Sequence, residues 1–491
     1  MDYLDKGKQI RSTIVLFLGY ICVATAIVIS TLILVYQAYG FGLGKNNTVI
    51  QNGLIFVSSQ PNPANIYLNS KLYANQTNTR IILPSGAYNM NIYRPGYRTW
   101  SRTIIVNGGM VEHFDYPFLI PQNLTTKTIS TYSTAPPLLA QSPNRRWVLI
   151  EKPGSISDFD LYDTNNPIKP VETSISIPNN IITKATSSES WKYVDWANDN
   201  QNVLLEHLYD GKSEYILFDT NDPTKSINLN TTFNINPTEL TLDNKQNNSF
   251  FALDSLGQLT QYSIGNNPVP IEEHVLAYNT YSTNTVLYVT DNGAPAGKAL
   301  VKLYNGSSTY LIRSLPLSNL YLLDLTTYSG TPYVAVGSNT DNRVYVYQDP
   351  VSQISNTPGQ LPYPVWVMHV PNPNYLSFSQ NAQYIITESN YTYGVYDILN
   401  QIGYSYNNPT MPLEPPQANV SWMDGNRITY VVNNKLIIED YDNKNIQKLV
   451  PASPNYLPAY DTNYKYVYTL TQNSNGEYDL TQTPLLIPSD L

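Results

Sequence analysis

Cysteine is almost missing from this chain: one residue, Cys22, in 491. An intrachain disulfide is therefore excluded, and so is a thiolate zinc site. Histidine is nearly as scarce. His113, His207, His274 and His369 have no HExxH or other close zinc spacing, and no GxSxG nucleophile elbow occurs. Charge is thin as well, at 13% of residues, and between Arg11 and Lys45 there is none.

That gap has a consequence. Ser12 to Gly40 reads STIVLFLGYICVATAIVISTLILVYQAYG, longer than the roughly 20 apolar residues that cross a bilayer. Ala24-Thr25-Ala26 resembles a cleavage site, but apolar residues continue beyond it, so the expectation is an uncleaved signal anchor. Lys6, Lys8 and Arg11 precede the span and only Lys45 closely follows it. The positive-inside rule then leaves the N-terminus in the cytoplasm and the remainder outside. Removing the four cations and two carboxylates of residues 1–45 from totals of 28 and 37 leaves 24 against 35, a balance of −11. Nucleic acid needs a basic patch, so that partner class is set aside.

What fills the chain is Asn, Thr, Ser and 42 tyrosines, with 42% hydrophobic residues overall. Tyr and Thr suit pleated sheets and Asn suits turns, so the part after the span is expected to be all-β. After the span, YGFGLGKNNT superficially suggests a phosphate loop. Tyr39 stands where its first glycine belongs, and Asn46 where Ser or Thr would bind magnesium. It reads as a juxtamembrane linker, residues 41–52.

From 53 to 118 short strands alternate with turns: LIFVS, NIYLN, RIIL, YNMNIYR, RTIIV and VEHFDY, separated by PNPA, the polar ANQTNT, PSG, RPGY and NGG. Tyr88, Met90 and Ile92 share one face of a strand whose other face carries Asn89, Asn91 and Tyr93. Six strands in so short a stretch imply a small sandwich. The run VSSQPNPANIYLNSK followed by LPSGAYNMNIYRPGYRTW resembles a PEGA domain, a β-module of prokaryotic surface proteins. Leu83-Pro84, Gly86, Tyr88 and Gly96-Tyr97 match its second half, whereas Asn62 and Pro63 replace the acid and glycine of its namesake motif. Gly86 and Gly96 fit turn positions. Tyr97 and Trp100 read as packing aromatics rather than sugar-stacking ones.

Residues 119–124 form a second linker. From 125 to 491 one unit recurs, beginning AQSPNRRWVLIEK with DFDLYDT and DWANDNQNVLLEHL with SEYILFDT, and ending YDTNYKYVYTL with EYDLTQT. Eight such units at a spacing near 45 residues indicate a β-propeller. A partial unit would make it seven-bladed. The second strand of each is apolar, as packing on both faces demands, and the third is expected to alternate. Asn433-Asn434 fits a two-residue hairpin turn. Thr126–Ser133 is expected to close the ring as an outer strand of the last blade. Trp196-Ala197-Asn198-Asp199, Phe378-Ser379-Gln380-Asn381, Trp422-Met423-Asp424-Gly425 and Ser142-Pro143-Asn144 resemble the aromatic-Ser-Pro-Asp-Gly corner of TolB-like, WD40-like repeats.

Chemistry is harder to find. Asp158, Asp160 and Asp163, and Asp440 with Asp442, recur where third strands end. They read as solvated strand ends rather than calcium ligands or a glycosidase pair. His207 reads as a residue at the edge of an inner strand. Tyr345, Tyr347, Tyr464, Tyr466 and Tyr468 read as strand packing residues with hydroxyls reaching the surface. Sequons at Asn75, Asn305, Asn390 and Asn419 permit glycosylation. No catalytic, metal or cofactor residue is assigned, and the ligand-binding residues are unknown.

The expected molecule is an all-β ectodomain behind one N-terminal transmembrane helix. A PEGA-like sandwich (53–118) and a seven- or eight-bladed propeller (125–491) follow a cytoplasmic tail (1–11) and anchor (12–40). Its expected role is non-catalytic binding or scaffolding of envelope protein or polysaccharide. Two alternatives are a glycan hydrolase or lyase and a structural surface-layer component. Clustered acids facing the propeller channel would favour an enzyme; a mouth lined by Tyr, Asn and Thr would favour binding.

Overall fold

The computed structural model describes residues 6–38, 40–43, 49–166, 170–390, 392–407 and 420–491. Tyr39, Lys45, Asn46 and the sequon residue Asn419 lie outside these. The helix Lys6–Ala38 contains an apolar stretch, Ile10–Tyr36, of mean hydropathy 2.5. None of that stretch is buried in the protein, and it is long enough to span a bilayer.

Two compact units follow from the contacts, one covering residues 1–123 and the other most of 124–491. Within the first, two sheets pack face to face. One joins Phe41–Leu43, Val49–Val57 and Thr79–Pro84, with Val111–Phe114 parallel to Val49–Val57. The other joins Lys71–Gln76, Asn65–Leu68, Gly86–Tyr93 and Trp100–Val106. Alternation decides what is inside: Ile55, Val57 and Ile81 from one sheet and Ile66, Met90, Ile92 and Ile104 from the other are buried. Tyr97 and Trp100 are buried too, as packing residues. Gly96, at φ +84, makes the turn that a side chain would strain. Two strands escape sequence reading. Phe41–Leu43 pairs with the start of Val49–Val57, although both fall in the stretch 41–52 read as a linker. KLYANQ, which includes much of the polar separator, is the edge strand Lys71–Gln76 and is almost wholly exposed. With no buried face it carries no period-two signal.

The second unit consists of four-stranded antiparallel sheets, eight among the described residues, and so is an eight-bladed propeller. In blade order, their second strands are Trp147–Glu151, Asn202–Tyr209, Ser249–Leu253, Val286–Thr290, Thr331–Ser338, Tyr384–Ser389, Arg427–Val432 and Tyr466–Gln472. Seven blades are built from consecutive strands. The eighth takes its outer strand, Lys127–Tyr132, from the start of the unit, paired with Tyr478–Pro484. Ring closure is completed by a shared core in which Val148, Ile150 and Tyr162 of blade 1 meet Tyr466, Tyr468 and Leu470 of blade 8. The edges that an open array would expose are thereby removed.

Third strands differ from expectation. Only Lys298–Tyr304 in blade 4 alternates cleanly; Asp158–Asp163, Lys212–Asp219 and Arg343–Gln348 have buried interiors on both faces. Neighbouring blades cover the third strand as well as the second, and exposure begins at fourth strands such as Val171–Ser176. The Asn433-Asn434 turn has φ of 50° and 55°, as its hairpin requires.

Candidate binding face

The first and second strands of a blade are joined by a corner, and all such corners emerge on one face of a propeller. In blades 1, 2, 6 and 8 the corner is the same turn. The fourth residue donates its N–H to the first carbonyl: Arg145 to Ser142, Asn200 to Ala197, Ala382 to Ser379, Tyr464 to Asp461. Each of these fourth residues is left-handed, with φ from 55° to 61°. The consensus corner has glycine there, because only glycine adopts that conformation without strain. This chain instead spends backbone strain on side chains, two of them large. Ser142 and Ser379 hold their corners alike. Each hydroxyl donates to the Asn two residues on (2.7 Å) and accepts the N–H that opens the second strand, from Trp147 at 2.9 Å and Tyr384 at 3.0 Å.

Two of these strained residues meet over the channel. Arg145 lies with its guanidinium 4.2 Å from the Tyr464 ring centre and donates to Gln380 Oε1. The Tyr464 hydroxyl donates to the same oxygen at 3.2 Å. Blades 1 and 6 are not neighbours in the ring, so this contact spans the opening that blades 7 and 8 border. Blade 7 has a corner one residue shorter, closed by Met423 N–H to Arg427 O. A Cβ on its Gly425 would come within 2.5 Å of Asn381. Around the rest of the mouth run amide and hydroxyl contacts. Thr462 Oγ1 donates to Asn144 O (3.1 Å), Asn144 N to Asn200 Oδ1 (2.9 Å), Asn198 Nδ2 to Asn244 O (3.1 Å) and Asn244 Nδ2 to Thr283 Oγ1 (3.0 Å). Five consecutive corners, blades 8, 1, 2, 3 and 4, are thus linked by Asn and Thr. Burial pushes the Tyr464 hydroxyl up to about 12, opposed by Arg145, so it remains a hydrogen-bond donor at neutral pH.

Tyr464 was expected in a strand beside Tyr466 and Tyr468. The ladder begins only at Tyr466, and Tyr464 is the half-exposed corner residue. Tyr345 and Tyr347 are strand packing residues, but their hydroxyls stay within the protein, bonded to Asp341 (2.8 Å) and Arg313 (2.9 Å).

Carboxylates also sit at the corners, where Asp199, Asp243, Asp424 and Asp461 each accept a backbone N–H. The acids singled out in the sequence lie on or just after third strands. Asp160 and Asp440 are buried rather than solvated. Asp160 binds Lys152 at 2.9 Å and Ser174 at 3.0 Å, while Asn445 Nδ2 donates to Asp440 at 2.8 Å. Asp158, Asp163 and Asp442 keep the partly exposed character expected, and Arg146 holds Asp163 below the usual carboxylate range. A set that sequence reading missed is Glu151, Glu206 and Glu388, one residue position repeated in blades 1, 2 and 6 and buried each time. Leu149 and Leu204 point into the cores shared with blades 2 and 3, and alternation sends Glu151 and Glu206 the same way. Tyr384 stacks on Tyr441 of blade 7 at 4.0 Å, so Glu388 faces blade 7. Glu206 meets Lys192 at 3.3 Å. Burial pushes Glu151 and Glu388 up to about 8, and likewise Glu439 between blades 6 and 7. These acids serve blade interfaces.

Near the channel, Asp324 of the inner strand Tyr321–Tyr328 accepts from Phe378 N of the next blade (2.8 Å) and Leu325 N (2.9 Å). Burial pushes it up to about 6. Asn279 does similar work from blade 4, donating to Leu323 O at 2.8 Å. Tyr375, beside Asp324, is pushed up to about 12 by burial.

His207 is wholly buried near the end of the strand Asn202–Tyr209. Its Nδ1 is 2.9 Å from Glu214, whose carboxylate also accepts from Thr183 and Asn228, and its ring lies 4.6 Å from that of Trp191. This arrangement holds blade 2 together. Among the described residues no three His, Cys, Asp or Glu side chains converge as a metal set.

Residues 52–119 match the PEGA domain family. No curated protein matches the chain. Among solved structures, KlHsv2 with loop 6CD replaced by a Gly-Ser linker is 11% identical, covering 72% of this chain and 98% of its own, at a TM-score of 0.38. An oligogalacturonate lyase from Vibrio parahaemolyticus is 10% identical over 74% and 99%, at 0.38. The dihydro-heme d1 dehydrogenase NirN is 13% identical over 66% and 67%, at 0.40. At such scores these likenesses lend nothing on activity, and the propeller rests on its own strand pairing.

Proposed function

We propose that this chain, a PEGA domain and an eight-bladed propeller behind an apolar helix, is a non-catalytic, membrane-anchored envelope protein. Its N-terminus lies in the cytoplasm and its β-domains outside, following the cation excess of Lys6, Lys8 and Arg11 before the span. The PEGA domain serves as spacer or docking unit, and the propeller mouth engages an envelope polysaccharide or protein.

One observation carries this reading. The corner mouth is lined by Asn, Thr, Gln, Tyr and Arg, its carboxylates Asp199, Asp243, Asp424 and Asp461 are each engaged by backbone N–H groups, and its strained positions carry Arg145 and Tyr464. Amides and hydroxyls in both donor and acceptor roles, with an aromatic face, suit a neutral polar ligand such as a glycan. The buried carboxyls Glu151, Glu206 and Glu388 are turned toward the cores between blades.

The test is incubation of the full-length protein with isolated cell envelope from its source, untreated or proteinase-treated. Binding that survives proteinase and releases no soluble sugar fits a polysaccharide partner; binding lost on proteinase fits a protein partner. Release of oligosaccharide would replace this reading with that of a glycan-cleaving enzyme.

A further inference from the structure

The sandwich of residues 49–114 has two outer faces, and one of them starts at the membrane. Tyr36 ends the apolar stretch, and its ring stacks on Phe41 with centroids 4.9 Å apart. Tyrosine at this place is an interfacial anchor. Phe41 pairs with Gln51, and Gly40 O accepts the N–H of Asn52 at 2.7 Å. The first sheet is thus tied by its own hydrogen bonds to the end of the apolar helix.

On the outer face of that sheet Leu54 lies in register between Ile82 and Val111. Ile82 is 63% exposed and Val111 54%. The row lies three residues from Gln51, about 10 Å at roughly 3.3 Å per residue. Interfacial elements bury their apolar faces to about 5–10 Å depth, which this tether permits. The next row adds Arg80, exposed, and the stacked pair Phe56–His113 at 4.8 Å. A cation beside an apolar row suits anionic headgroups.

We propose that this face lies on the bilayer surface, with Ile82, Leu54 and Val111 at the headgroup–acyl boundary. The inference rests on the membrane-anchored reading above. Lipid is favoured over a second copy of the chain because the sheet is already held within reach of the bilayer.

The chain's one cysteine makes the test direct. In a Cys22→Ser background, full-length protein carrying Ile82→Cys, Val111→Cys or Ile105→Cys is labelled with bimane. It is then reconstituted into phosphatidylcholine–phosphatidylglycerol vesicles with or without brominated acyl chains. Ile105 is 65% exposed on the outer face of the other sheet and serves as the control. All three positions are exposed, so labelling leaves the core intact. Bromolipid should lower emission at 82 and 111 by about twofold or more and leave 105 unchanged. Equal emission at all three positions overturns the proposal. So does concentration-dependent self-quenching at 82 without bromolipid quenching, which would assign the face to a second copy. Alkaline extraction of native membranes separates the two levels. Release of the chain would remove the anchored reading itself, whereas retention without quenching at 82 removes only the docking.

Discussion

The guanidinium of Arg145 lies 4.2 Å from the centre of the Tyr464 ring, although the two residues belong to opposite ends of the propeller sequence. Both sit at left-handed positions, φ 61° and 55°, where a repeat of this type ordinarily has glycine. Each costs ~1–2 kcal/mol of conformational strain, against ~0.5–1 kcal/mol or somewhat more from the cation–π contact. Arg145→Gly and Tyr464→Gly should therefore shift folding stability by no more than ~1–2 kcal/mol in either direction. Urea denaturation of each variant gives this directly. A loss of ~4 kcal/mol or more, the size of a core truncation, would mark the pair as structural.

A second expectation concerns pH. Glu151, Glu388 and Glu439 are pushed up to about 8 by burial, above the unfolded carboxyl value of 4.5. The fold therefore holds protons that the unfolded chain releases, and stability falls as pH rises from about 4.5 through about 8. One pKa unit corresponds to ~1.4 kcal/mol, so each group removes on the order of a few kcal/mol by the end of that window. Neutral Gln has no charged form to bury. The melting temperature of Glu388→Gln should fall less between about pH 5 and 9 than that of the wild type. Parallel curves for the two would show that Glu388 is already ionised in the fold.

Blade-to-blade clasps supply a third. Asp324 accepts N–H bonds from its own strand and from Phe378 of blade 6. Asp324→Ala leaves the Phe378 N–H without its acceptor and should cost ~1–3 kcal/mol. Asp324→Asn keeps an acceptor oxygen and should cost less. Chemical denaturation of both variants ranks them, and equal losses would argue against the clasp.

Much of this architecture is legible in the sequence, for a physical reason. Period-two patterns such as Tyr88, Met90 and Ile92, and second strands such as WVLIE and YIITE, record burial that is local to one strand. The closing strand Lys127–Tyr132 is readable because the repeat count leaves it over. The edge strand Lys71–Gln76 is not readable, since no face of it is buried. Asp160 and Asp440 mislead because ionisable residues at strand ends are usually wet, and here both are covered: Asp160 accepts from Tyr132 of blade 8 at 3.2 Å, and Asp440 from Asn445 of its own blade at 2.8 Å.

The mouth is the least legible part. Arg145 and Gln380 are 235 residues apart, and the repeat period says nothing about which corners meet across the axis. A usable signal existed nonetheless. Aligning the corners SPNR, ANDN, SQNA and DTNY on the glycine of the repeat consensus places Arg145 and Tyr464 at its strained position. The recurrence of Glu in WVLIE, NVLLE and YIITE is equally visible once second strands are aligned.

The most direct measurement is binding of full-length Arg145→Ala/Tyr464→Ala to the isolated envelope, compared with wild type at matched folded fraction. If the mouth is the binding site, affinity falls by about tenfold or more, as when a central aromatic–arginine pair is truncated, and neither protein releases sugar. Equal binding by the two proteins would contradict the assignment of the mouth, and sugar release by the wild type would contradict the non-catalytic role.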